Sequence, residues 1–212
     1  MRVGQVFKIL DENKPVSGCT ISGELLKGVQ CFSLAEGTDI SAESYPNPVL
    51  QYQLGGESTL IDKDQAETKL LKEGDLVIKE ADHSIGVIAD KDSVYLEIAL
   101  GKGGHMNEAI KAGEVFRLAE LVPYVDGKIV NMDVVSNDKM KFVVMAFDQG
   151  CALSEHATPG EAIIFALDGK GIIGYEGKEH EIKTGENFHF AKGGLHSVKA
   201  DGKFKMALLL TL

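Results

Sequence analysis

The chain carries one pattern twice, and that repetition constrains its fold more than any other feature. "VGQVFKIL" (3–10) resembles "AGEVFRLA" (112–119), and "EGTDISAESYPNPVLQYQLGG" (36–56) lies on "QGCALSEHATPGEAIIFALDG" (149–169) without gaps. The second pairing matches Gly37 with Gly150, Pro46 with Pro159, Leu54 with Leu167 and Gly56 with Gly169. "LLKEGDLVIKEADHSIGVIAD" (70–90) resembles "EIKTGENFHFAKGGLHSVKAD" (181–201) once small gaps are allowed, pairing Gly74 with Gly185 and His83 with His196. The offset stays between 109 and 113 residues across these separated segments, which chance similarity does not do. The repeat predicts two domains, 1–100 and 111–212. A linker over 101–110 joins them, opening with three glycines in four residues and entering a short helix at Asn107.

Within each copy the apolar runs are short and strand-like. "KFVVMAF" (141–147) and "AIIFAL" (162–167) read as buried strands bounded by turns, and "FKMALLLTL" (204–212) as a largely buried closing strand. "GIIGYEGKEHEIKTG" (171–185) predicts a hairpin turning at Glu176-Gly177. In "ENFHF" (186–190) alternation sends Phe188 and Phe190 inward and His189 outward. No window longer than about 12 residues shows helical periodicity. The 24 glycines against 5 prolines supply many tight turns. The fold class expected is all-β, a sandwich or barrel, with the jelly roll among the closed solutions.

Charge narrows the partners. A net charge of −10 repels phosphate backbones and anionic lipid heads, so nucleic acid and membrane surfaces are excluded as partners. No stretch approaches the 18 or so uninterrupted apolar residues of a membrane span. Cys19, Cys31 and Cys151 are odd in number, widely spaced and without a CxxC pair, which reads as reduced thiols in a cytoplasmic protein.

Two glycine-led segments in the second copy carry a family resemblance. Gly150, five residues, His156 and the closing Gly169 form one; Gly185, Ala191-Lys192-Gly193 and His196 form the other, 15 residues lying between Gly169 and Gly185. These segments resemble the two motifs of the cupin superfamily, with alanine where the second motif usually has proline. Through the internal repeat the likeness extends to the first copy. The resemblance implies two tandem cupin-type jelly-roll β-barrels, a bicupin with pseudo-twofold symmetry.

A cupin metal site draws three histidines and a glutamate from four positions, which here hold His156, Thr158, Ala162 and His196. Two ligands are kept. In a regular strand 156, 158, 160 and 162 share a face and Glu161 points the other way, unless Pro159-Gly160 kinks the strand and swings Glu161 inward. The corresponding residues of the first copy are Glu43, Tyr45, Val49 and His83, so that domain is expected to be structural or to hold an apolar pocket without metal.

Three functions compete. The leading one is binding of a small polar molecule, a sugar or organic acid, in the C-terminal barrel by Thr158, Glu161, His156 and His196. The second is a metal-dependent enzyme of dioxygenase, isomerase, epimerase or lyase type. There His156 and His196 would hold a divalent transition metal (zinc, iron, nickel, manganese or copper), and Glu161 would be third ligand or general base. The third is a structural or assembly role. A small molecule and a second copy, in a homodimer, are the partners these readings imply. No catalytic residue, substrate or metal identity is legible.

Overall fold

A computed structural model describes residues 3–101 and 105–212. Its regular structure is strand apart from the helical turn Ile9–Glu12 and the 3-10 turn Leu118–Glu120. Among the described residues no helix is long and apolar enough to cross a membrane. The helix expected at Asn107 is replaced by turns. Met106 pairs with Val135 and the Asn107 N–H donates to the Val134 carbonyl at 3.1 Å, so this stretch is held on a strand ladder. Gly113, at φ +76, then turns the chain in a conformation no helix tolerates.

The described residues divide into two compact units. The N-terminal unit comprises 10–101 and 108–117, the C-terminal unit 3–9, 105–107 and 118–212. In the N-terminal unit a six-stranded antiparallel sheet runs Val115–Arg117, Asp75–Lys79, Val49–Gly55, Ser93–Ala99, Val29–Leu34, Thr20–Leu26. A four-stranded sheet runs Asp39–Ser44, Ser84–Ala89, Glu57–Asp62, Glu67–Lys72. Leu34, Val77 and Tyr95 of the first pack against Leu60, Leu71 and Val87 of the second, so the core lies between the sheets.

Part of that interior is polar. Register places Gln51 between Val77 and Glu97, with Lys79 beside Val49. The Lys79 ammonium pairs with the Glu97 carboxylate, both buried. The Tyr45 hydroxyl donates to Glu43 at 2.6 Å, and its ring lies 5.9 Å from Lys79 Nζ. Alternation is the cause: Gln51, Gln53, Lys79, Tyr95 and Glu97 occupy positions that face inward.

The C-terminal unit is one nine-stranded antiparallel sheet folded over itself. Its order is Val6–Phe7, Asn187–Phe190, Glu161–Tyr175, Leu195–Thr211, Met140–Phe147, Ile129–Ser136, His105–Met106. Ala152–Ala157 adds to Leu195–Thr211, and Lys178–Lys183 to Glu161–Tyr175. The two long strands stay paired while the register shifts between Ala166 and Asp168 and again between Gly169 and Gly171, which lets both bend from one layer into the other. Gly169 is required there, since a Cβ would meet the Lys203 carbonyl oxygen at 1.9 Å. Inside lie Phe147, Ile164, Phe188, Phe190, Phe204 and Met206. The predicted hairpin turns at Glu176 and Gly177, both at positive φ as a two-residue hairpin turn requires.

The units differ from the sequence division at the start of each copy. Val6 pairs with Phe188, and the equivalent Val115 pairs with Val77. The leading strand of each copy is therefore an edge strand in the unit built from the other copy. A fragment 10–117 keeps the edge partner of Asp75–Lys79 and a fragment 1–100 loses it. We expect 10–117 to unfold at the higher urea midpoint; equal midpoints would show that Val115–Arg117 adds nothing. Removing one partner of the buried ion pair, in Glu97→Ala, is expected to cost about 3–5 kcal/mol in urea unfolding of the whole chain. The paired change Lys79→Met/Glu97→Leu is expected to recover most of it.

Candidate functional site

The Ala152–Ala157 strand meets Leu195–Thr211 with a register shift between Leu153 and His156, and this bulge sets His156 directly opposite His196. The imidazole centroids are 4.2 Å apart with 52° between the planes. His156 is exposed at the rim, while His196 is 4% exposed beneath it. His156 Nδ1 lies 2.8 Å from the Ser154 carbonyl oxygen and His196 Nδ1 3.3 Å from that of Gly194. A carbonyl only accepts, so in each ring Nδ1 carries the proton and donates, leaving the Nε2 lone pair for another partner.

Aromatic rings form the floor. Phe190 stacks on His196 at 4.3 Å and 30°, and Tyr175 stands opposite His196 on the neighbouring strand. Tyr175 lies 5.6 Å from Phe188 and 5.5 Å from Phe190, and its hydroxyl accepts the Ala191 N–H at 3.4 Å. Gly194 lets that ring approach, since a Cβ there would come within 2.6 Å of it. His180 packs at 5.1 Å on Phe188. Tyr175 and Phe190 are the site residues that sequence reasoning missed. Their signal was the inward phase they share with Ile173 and Phe188.

The other two candidates are not brought to the pair. Thr158 is buried and its hydroxyl donates to the Gly160 carbonyl at 2.9 Å, closing the Pro159-Gly160 turn. Glu161 follows the regular strand: Ala162, Ile164 and Ala166 face the core, and Glu161 faces the other side with Ile163. There its Oε1 lies 3.0 Å from Nε2 of His189. The distance is that of an ion pair, without hydrogen-bond alignment. No inward kink forms, because Gly160 packs straight onto the Thr211 carbonyl, which a Cβ would approach to 2.0 Å.

Two imidazoles are thus the donor set of this mouth. Catalytic zinc sites take three protein ligands and the facial iron triad takes two histidines with a carboxylate. Among the described residues no three His, Cys, Asp or Glu side chains converge. The residues present do not fit a resident catalytic metal held by the protein alone.

Comparison with known proteins agrees with this architecture. Residues 143–212 match the family model for the cupin domain. No curated protein matches the sequence. A cupin 2 conserved barrel domain protein from Leptotrichia buccalis superposes with a TM-score of 0.86 at 24% identity, over 100% of this chain and 98% of that one. Salicylate 1,2-dioxygenase from Pseudoaminobacter salicylatoxidans gives 0.65 at 11% identity, over 98% and 80%. Oxalate decarboxylase from Bacillus subtilis gives 0.54 at 12%, over 100% and 78%. These likenesses carry the fold: the chain has the jelly-roll cupin fold.

The charge state of His196 is a measurable property of the mouth. Burial disfavours the imidazolium and pushes its pKa below the usual 6.5; the Gly194 carbonyl acts weakly in the opposite sense and the neighbouring His156 adds to the lowering. With the folded value depressed, the folded state binds fewer protons than the unfolded state. The contribution is therefore complete above about pH 6.5 and is lost as pH falls through the folded value. We expect the melting temperature to decline between pH 7 and 5.5, and less steeply in His196→Gln; identical profiles would show that His196 takes no part.

Proposed function

We propose that the chain is a bicupin whose C-terminal barrel binds a small hydroxyl-bearing molecule, a sugar or hydroxylated organic acid, on His156 and His196. The observation that carries this reading is the pair of imidazoles in contact at the mouth, each with Nδ1 committed to a carbonyl. Two Nε2 acceptors, on rings whose centroids are 4.2 Å apart, suit a ligand with neighbouring hydroxyl donors, and a His196 kept neutral by burial preserves its acceptor. Because Phe188, Phe190 and Tyr175 fill the depth, the ligand sits at the rim, against His156.

That same filling favours a second reading, a structural role in which the rings only complete the core. Metal-dependent chemistry is the weaker alternative, since a metal would need ligands beyond two imidazoles. The test compares wild type with His156→Ala/His196→Ala by thermal shift against neutral sugars and hydroxy acids, beside elemental analysis of both. A ligand at about 100 times its Kd is expected to stabilise wild type by about 2.7 kcal/mol and the double variant not at all. A panel without effect on wild type would leave the structural role. Stoichiometric transition metal in wild type alone would turn the reading to the metal-dependent enzyme.

A further inference from the structure

One end of the six-stranded sheet is open. Thr20–Leu26 pairs along one side with Val29–Leu34, and among the described residues no strand lies along its other side. The Ala35 N–H donates to the Cys19 carbonyl at 3.1 Å, and Thr20 stands opposite Leu34 in the same register. Hydrogen-bonded and non-hydrogen-bonded pairs alternate along an antiparallel ladder, so Ile21 and Gly23 bond to Ser33 and Cys31. The backbone N–H and C=O groups of Thr20, Ser22 and Glu24 therefore point off the edge, and residues 20–24 are all exposed.

Open edges are normally guarded by charge, proline or a bulge. The edge strands Glu67–Lys72 and Lys178–Lys183 carry two lysines each, and Asp39–Ser44 has carboxylates and a register shift between Ile40 and Glu43. Thr20–Gly23 has neither charge nor proline, and its ladder runs straight until the shift between Glu24 and Leu26. Two side chains on one face of this strand say what the edge meets. Ile21 is 46% exposed. Gly23 is a glycine its own chain does not require, since its φ is not positive and a Cβ there would find nothing within 4 Å. Glycine weakens a strand interior and marks places where another backbone or a ligand comes close.

We propose that Thr20–Glu24 is a self-pairing edge that joins two copies of this chain in an antiparallel ladder with Ser22 on the twofold axis. Ser22 then exchanges both backbone hydrogen bonds with Ser22 of the partner subunit, and Thr20 does so with Glu24 of the partner subunit. Ile21 falls opposite the partner's Gly23 in a non-hydrogen-bonded pair, where side chains come closest, and the missing Cβ leaves room for it. Other axes lose this fit. An axis through Ile21 sets that side chain against itself and moves Gly23 to Cys19, while one through Glu24 brings two carboxylates face to face. A second copy answers the strand residue by residue, which identifies it as the occupant. The contact is short and a net charge of −10 on each chain opposes it, so the dimer is weak and salt strengthens it. It uses no residue of the histidine mouth.

The test is sedimentation of the whole chain from about 1 μM to about 1 mM, the range of weak specific association. A reversible monomer–dimer equilibrium is expected there, several-fold tighter at high salt than at low. In ¹⁵N-labelled protein, amide exchange at Thr20, Ser22 and Glu24 is expected to slow as concentration rises. Ser22→Pro removes the bonds at the axis yet spares the chain's own ladder, because that N–H points off the edge, and is expected to weaken the dimer at least about tenfold. Gly23→Val is the second variant: its side chain has open space in the monomer, so the melting temperature holds or rises while crowding of the partner's Ile21 weakens the dimer about tenfold. The exchange Ile21→Gly/Gly23→Ile is expected to restore pairing, since each large side chain again faces a glycine. A chain that stays monomeric throughout, leaving the edge to another protein, would overturn the proposal. So would a dimer that both single variants leave intact, a swap that fails to restore it, or exchange that slows elsewhere and not at Thr20, Ser22 and Glu24.

Discussion

Strict alternation of side chains along bent, paired strands is the constraint from which the rest of this structure follows. Once Ala162, Ile164 and Ala166 face the core, Glu161 must face away, and it finds His189 instead of the histidine pair. One bulge, between Leu153 and His156, adjusts that rule locally and sets His156 against His196. The candidate mouth is the product of one irregularity in an otherwise regular ladder.

The two copies obey the same backbone rule with opposite chemistry. The C-terminal unit fills its depth with aromatic rings. The N-terminal unit admits an ion pair, an amide and a phenol to its interior, and encloses them with Leu34, Leu60, Leu71 and Val87.

Much of this was legible in the sequence. The constant offset and the glycine turns around residues 150, 169 and 185 pointed to duplicated β-structure. The paired motifs put His156 and His196 together although forty residues separate them. Phe188 and Phe190 read correctly as inward. Lys79, Glu97 and Gln51 did not read as interior, because a polar residue in a short strand looks the same whichever face it takes, and only cross-strand register decides. Tyr175 was hidden for a related reason: its role depends on Gly194, which comes from another strand. The exchange of leading strands leaves no trace in a self-comparison, since the repeat is identical whichever unit receives the strand.

That exchange bears on how such a chain could have arisen. A lone copy would have an edge strand to give and a bare edge to fill, and two separate chains could answer each other's need by trading strands symmetrically. Fusing the copies turns this trade from a concentration-dependent encounter into one within a single molecule, at the effective concentration of a short tether. The linker then sets the odds of correct pairing, and lengthening it would reopen the door to partners on other chains.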